Sequence, residues 1–149
     1  MFVAPPEQIP EVVTQVFRQF LATNFPVRAK AIAKAIASEK PDLIELQEAV
    51  RVELIIPTFG TVTYDFIDIL LEALEEQGLI YKVAARNNNA TAQLPDSNGN
   101  LVQFLERDAI LIRKNKKLDV IGSQEANFRT NLTVPLAGQP TPRMVFYRC

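Results

Sequence analysis

The order of its periodicities constrains this chain more than any single motif. Apolar residues recur at helical spacing early, and runs of strand formers divided by turn residues come late. After a start carrying Pro5, Pro6 and Pro10, EVVTQVFRQFLATN sets Val12, Val13, Val16, Phe17, Phe20 and Leu21 on one helical stripe, with Asn24 as a stop. Pro26 then stands near the first turn of a second helix, PVRAKAIAKAIASEK. Its small stripe of Ala31, Ile32, Ala35 and Ile36 predicts close packing on a sheet. Arg28, Lys30 and Lys34 oppose that stripe, as a solvated face or a phosphate-binding one.

Pro41 ends that helix, and DLIELQEA reads as a short strand. Residues 58–63 read as a loop around Gly60. YDFIDILLEALEEQG predicts a third helix with Phe66, Ile69, Leu70, Ala73 and Leu74 on one face and Gly78 as its stop. LIYKVAAR follows as a strand, and NNNATAQLPDSNGN as a loop in which Asn98-Gly99 signals a hairpin turn. LVQFLERDAILIRKN, KLDVIGSQ and FRTNLTVPL predict further strands. The expected class is α/β, with early packing helices and a mixed, mostly antiparallel sheet in one domain over residues 1–149.

A net charge of −1 gives no general pull toward nucleic acid or anionic membrane. No apolar run reaches the roughly 18 residues of a membrane span, and no secretory signal follows Met1. The default expectation is a cytoplasmic chain, with secretion open if an N-terminal segment is missing. Cys149 is the only cysteine, so neither an internal disulfide nor a cysteine zinc cluster is available. The chain has no histidine, which removes imidazole bases, Ser-His-Asp and Cys-His catalysis and histidine metal ligands.

Three acidic positions carry the candidate chemistry. Glu48, after the apolar run DLIEL, is either a carboxylate meeting solvent at a strand end or a Mg²⁺ ligand. Magnesium takes oxygen donors, keeps several waters and often uses only one or two protein carboxylates plus substrate phosphate. Asp108 interrupts FLERDAILIRK on an exposed face or near a site. Asp96, in DSNG, belongs to ordinary turn chemistry or to metal and phosphate contacts. Asn89-Ala-Thr91 and Asn131-Leu-Thr133 match the glycosylation pattern without a signal to make it matter.

FPVRAKAIAKAIASEKPDLIELQEAV resembles the segment of endonuclease/exonuclease/phosphatase-family proteins in which a helix leads into a strand ending Leu-Gln-Glu. YDFIDILLEALEEQGLIYKVAARNNNATAQLP, ERDAILIRK and SQEANFRTNLTVPL continue in step with a bacterial branch of that family, from about residue 5 to residue 143. The resemblance implies a DNase I-like, four-layer α/β/β/α sandwich that cleaves phosphate esters with Mg²⁺. It implies Glu48 as a metal ligand beside Gln47. The substrate class stays open among nucleic acid, phospholipid headgroup and small phosphate ester.

The departures set further expectations. The family's first strand carries an active-site asparagine, and this sequence starts just after it, at Met1-Phe2-Val3-Ala4. The family's later histidine-bearing strand, Asp-x-Asn motif and Asp-His pair have no counterpart here. No catalytic residue can therefore be assigned, and the chain alone is expected to be inactive. An uncovered sheet is expected to self-associate or to pair with the missing half, which leaves a non-catalytic interaction domain as the alternative. One permissible coding of residues 143–149, read one base out of frame, spells Gly-Trp-Phe-Ser-Ile-Asp-Val, close to the family's continuation. Residues 144–149 are thus expected to be out of frame, which would leave Cys149 without redox meaning.

Overall fold

The computed structural model describes residues 5–115 and 118–127, with the strand segments 132–135 and 143–146. Helices α1 (Ile9–Ala22) and α2 (Phe25–Glu39) come first, after a single 3₁₀ turn. Strands β1 (Leu43–Leu46), β2 (Arg51–Ile56) and β3 (Gly60–Asp65) precede α3 (Phe66–Glu76). Strands β4 (Tyr81–Pro95), β5 (Leu101–Arg113), β6 (Leu132–Pro135) and β7 (Arg143–Phe146) complete the order. The seven strands among the described residues form one sheet in the order β3-β2-β5-β4-β7-β6, with β1 also on β5. Every described pairing is antiparallel, so the chain is α/β with a mostly antiparallel sheet and early packing helices.

Side chains alternate across a strand, so β5 serves two faces. Ala109 and Leu111 face α2 and α3, where they join Ala29, Ala33, Ile67, Leu70, Ala73 and Leu74 in the core. Ala29 and Ala33 are wholly buried, which lets the α2 backbone lie close to α3. The α2 stripe is thus rotated from the expected one. Phe25, Ala29, Ala33 and Ile36 turn inward, whereas Ala31 and Ala35 are exposed. Phe25 opens the inward row and stacks on Phe66 of α3, which turns the row it heads toward α3. Arg28, Lys30 and Lys34 are exposed, and Lys30 pairs with Glu76 at 3.0 Å.

On the opposite face α1 lies over the other half of the sheet. Val12, Val13, Val16, Phe17 and Phe20 meet Val52, Ala92, Leu94, Val102 and Phe104 around an apolar cleft of about 300 Å³. The backbone N–H of Ser97 donates to Thr14 Oγ1 at 2.9 Å, fixing α1 to the β4–β5 turn. Phe66 stacks on both Phe20 and Phe25, tying the two helices to the start of α3.

Local chemistry explains the boundaries. Asn24 takes φ +45° between α1 and α2, and Gly78 takes φ +75° just after α3, where the Leu79 N–H returns to the Leu74 carbonyl. Asp65 caps α3 by accepting from the Ile67 and Asp68 amides at 3.0 and 3.4 Å.

Three strand expectations are corrected. Of the expected loop 58–63, only 58 and 59 are turn: Gly60–Asp65 is β3, paired residue for residue with β2. The asparagine-rich run is strand through Pro95, because β5 pairs along its whole length; only residues 96–100 turn. Residues 118–124, from the expected strand KLDVIGSQ, carry no regular structure and line a cleft with Leu43, Ala85 and Ile110. Asn89, of the first glycosylation pattern, is buried within β4. Asn131 and Cys149 lie outside the described residues. No helix among the described residues is long and apolar enough to cross a membrane.

Candidate functional site

Strands β1 and β2 run along the same side of β5 as two pieces of one interrupted strand. Leu46 pairs with Ala109 and Arg51 with Leu105, so the chain advances five positions against four on β5. The surplus residue makes a β-bulge over Gln47–Val50. Glu48 sits in it at φ +53°, a left-handed conformation that costs a non-glycine residue about 1–2 kcal/mol. The leucine-glutamine-glutamate run therefore ends a strand by kinking it.

The bulge is fixed by two successive residues of β5. The Glu48 N–H donates to Asp108 Oδ1 at 3.1 Å, and the Ala49 N–H donates to the Arg107 carbonyl at 2.7 Å. Arg107 turns to the other face, where it is 1% exposed. Its Nε donates to the Ala49 carbonyl at 3.1 Å, and its two terminal nitrogens donate to Asp65 at 3.0 and 2.6 Å. Burial pushes the Asp65 carboxyl up. The Arg107 hydrogen bond and charge, with the Asp68 and Ile67 amides, outweigh that and hold it below its ordinary range.

Asp108 and Glu106 stand two positions apart on β5 and therefore share the face away from Arg107. Burial first, then the Glu48 and Asp108 charges, raise the Glu106 carboxyl above its ordinary value. Three acidic residues, Glu48, Glu106 and Asp108, thus lie on the bulge or on the part of β5 that faces it. Opposite Asp108 stands Asn87, whose amide donates to Asn89 at 3.0 Å and also reaches Asn127. A second bulge in β4, between Asn88 and Ala90, flanks the same part of β5.

No group of three or more His, Cys, Asp or Glu among the described residues is placed to hold a metal ion together. The donor set does fit Mg²⁺, which commonly takes one or two carboxylates and fills its octahedron with water and phosphate. The chemistry of the donor set is the observation behind this fit: the Glu48 bulge is hydrogen-bonded to Asp108, so two residues that bear carboxylate oxygens, the donors Mg²⁺ takes, adjoin there. No family model matches the chain, and neither a curated protein nor a solved structure matches it.

The sequence placed Glu48, Gln47 and Asp108, and the structure brings Glu48 and Asp108 together; Gln47 is exposed beside them. Glu106 was missed. Its signal was the Glu-x-Asp spacing on a strand, which sets both carboxylates on one face. Asp96 does not join them. It accepts the Asn98 and Asn100 amides, each at 2.8 Å, as the organiser of the β4–β5 turn.

Proposed function

We propose that this chain carries the carboxylate side of a Mg²⁺-dependent phosphoester hydrolase site of the endonuclease/exonuclease/phosphatase type, within a DNase I-like four-layer scaffold. The observation that supports it is the bulge that sets Glu48 beside Asp108 and Glu106. Glu48, with Asp108 or Glu106, would hold the ion. When bound, Mg²⁺ would supply electrostatic stabilisation to a phosphate oxygen and orient attacking water. The bulge sets Glu48 by backbone strain and hydrogen bonding, and Asp108 fixes the Glu48 amide. With no histidine in the chain, no imidazole activates water or steadies the charge of the transition state. Hydrolysis by this chain alone is therefore expected to be absent.

The test uses Mn²⁺ as a paramagnetic stand-in and follows water-proton relaxation. Binding by the wild-type chain that weakens at least tenfold in Glu48→Gln supports the reading. Equal binding by both proteins overturns it. Mg²⁺-dependent cleavage of bis(p-nitrophenyl) phosphate that is lost in Glu48→Ala would overturn the expected inactivity.

A second reading draws on the cleft under α1, where Val12 and Val16 remain 40% and 57% exposed. In it the chain is a non-catalytic interaction domain that self-associates through this apolar face. Light scattering across a concentration series separates the two, because a monomer at all concentrations sinks self-association.

A further inference from the structure

The geometry points to Arg107 and Asp65 as positioning residues that hold the Glu48 bulge open from the opposite face of the sheet. Ala49 is gripped twice by Arg107, through the main-chain carbonyl at 2.7 Å and through the side-chain Nε at 3.1 Å. The guanidinium is in turn held by both oxygens of Asp65. Asp65 cannot follow a moving Arg107, because the same carboxylate caps α3 through Ile67 and Asp68. The α3 terminus is therefore an anchor, Arg107 the strut, and Ala49 the point of support. Glu48, one residue away, keeps its φ of +53° because Ala49 is held at both its N–H and its C=O, which fixes the two peptide planes that follow Glu48. A planar guanidinium suits this task, since one fork binds a carboxylate with two bonds while Nε remains for a carbonyl.

A buried ion pair is by itself weak evidence for stability, and a same-sized apolar pair often serves as well. What an apolar pair cannot do here is hold the Ala49 carbonyl. Arg107→Met with Asp65→Asn tests this, because Met fills the buried space and Asn keeps the α3 cap. The readout is amide hydrogen exchange at Glu48 and Ala49, each divided by exchange at the fully buried Leu111. A purely structural role speeds all three together and leaves the ratio unchanged. Positioning raises the Glu48 and Ala49 ratios at least tenfold.

The consequence for metal affinity rests on the reading above; the consequence for the backbone stands apart from it. Raised ratios with Mn²⁺ binding weakened about tenfold support the inference. Unchanged ratios overturn it, whatever Mn²⁺ does. If the wild-type chain binds no Mn²⁺, the metal reading falls while the exchange ratios still decide the clamp. Should the double variant not fold, Arg107→Lys answers the same question, because one ammonium cannot reproduce the two-pronged bond to Asp65 together with the bond to Ala49. An unchanged ratio in Arg107→Lys overturns the proposal.

Discussion

Glu48, in the bulge between β1 and β2, faces Glu106 of β5: burial first, and then the Glu48 charge, raise the Glu106 carboxyl above its ordinary value. An acid whose folded value stands above its ordinary value of 4.5 favours the folded state below that value, and loses the contribution as pH rises through the folded one. At neutral pH the Glu106 charge is therefore a cost. Glu106→Gln should stabilise the fold at pH 7 by no more than about 1 kcal/mol, given solvent screening, and should give nothing at pH 4. Urea unfolding at the two pH values checks this; equal effects at both would refute it.

Glu48→Gly should separate stability from function. Glycine takes positive φ without penalty, so relief of the bulge strain should stabilise the fold by roughly 0.5–1 kcal/mol after glycine's entropy is counted. The same change removes the proposed metal carboxylate. The expected result is a higher urea midpoint with lost Mn²⁺ relaxation enhancement, and a lower midpoint would show that the strain is not stored there.

Acid sensitivity should come from Asp65 and Asp96. For Asp96, burial raises the carboxyl, but bonds from the Asn100 and Asn98 amides outweigh it and hold it low. Both carboxyls stand below the ordinary value of 3.8, so their stabilisation is complete above that value and fades as pH falls through the lower folded values. Thermal unfolding should lose midpoint steeply below about pH 4. Asp96→Asn should make that limb shallower; an identical acid limb would exclude Asp96.

Arg107→Ala should cost about 3–5 kcal/mol, because it leaves the Asp65 carboxylate largely buried without its partner. Ala33→Leu should cost about 1–3 kcal/mol, since Ala33 is wholly buried at the α2–α3 contact and has no room for added methylenes. Guanidinium unfolding of each reads these costs directly, and a loss below 0.5 kcal/mol, on the scale of ordinary surface changes, would be too small for either account.

What was legible in the sequence was local. Helix α3 follows from its apolar spacing and from Gly78, and the β4–β5 hairpin from Asn98-Gly99, because each signal acts within a few residues. The length of β4 was hidden by its asparagines. They are poor strand formers, and they are strand only because β5 pairs with them over thirteen residues. For KLDVIGSQ the apolar pattern was present, but regular structure did not follow over residues 118–124. Glu48 was visible as a residue type at a strand end. Its bulge was not, since the surplus exists only relative to the register of β5, and no window of sequence contains both strands. Arg107 was hidden for the same reason: its partner Asp65 lies forty-two positions away.

The surplus residue at the bulge has a consequence for insertion and deletion. Strand side chains change sides at every step, so an uninterrupted strand would point Ile44, Leu46 and Val52 the same way. Instead Ile44 and Leu46 meet the α2–α3 core, while Val52 lies under α1 on the reverse side. One extra residue inverts the parity of the strand in mid-course and lets a single stretch of chain serve two interiors. Deleting any one residue of 47–50 would turn one of those two sets of side chains inside out.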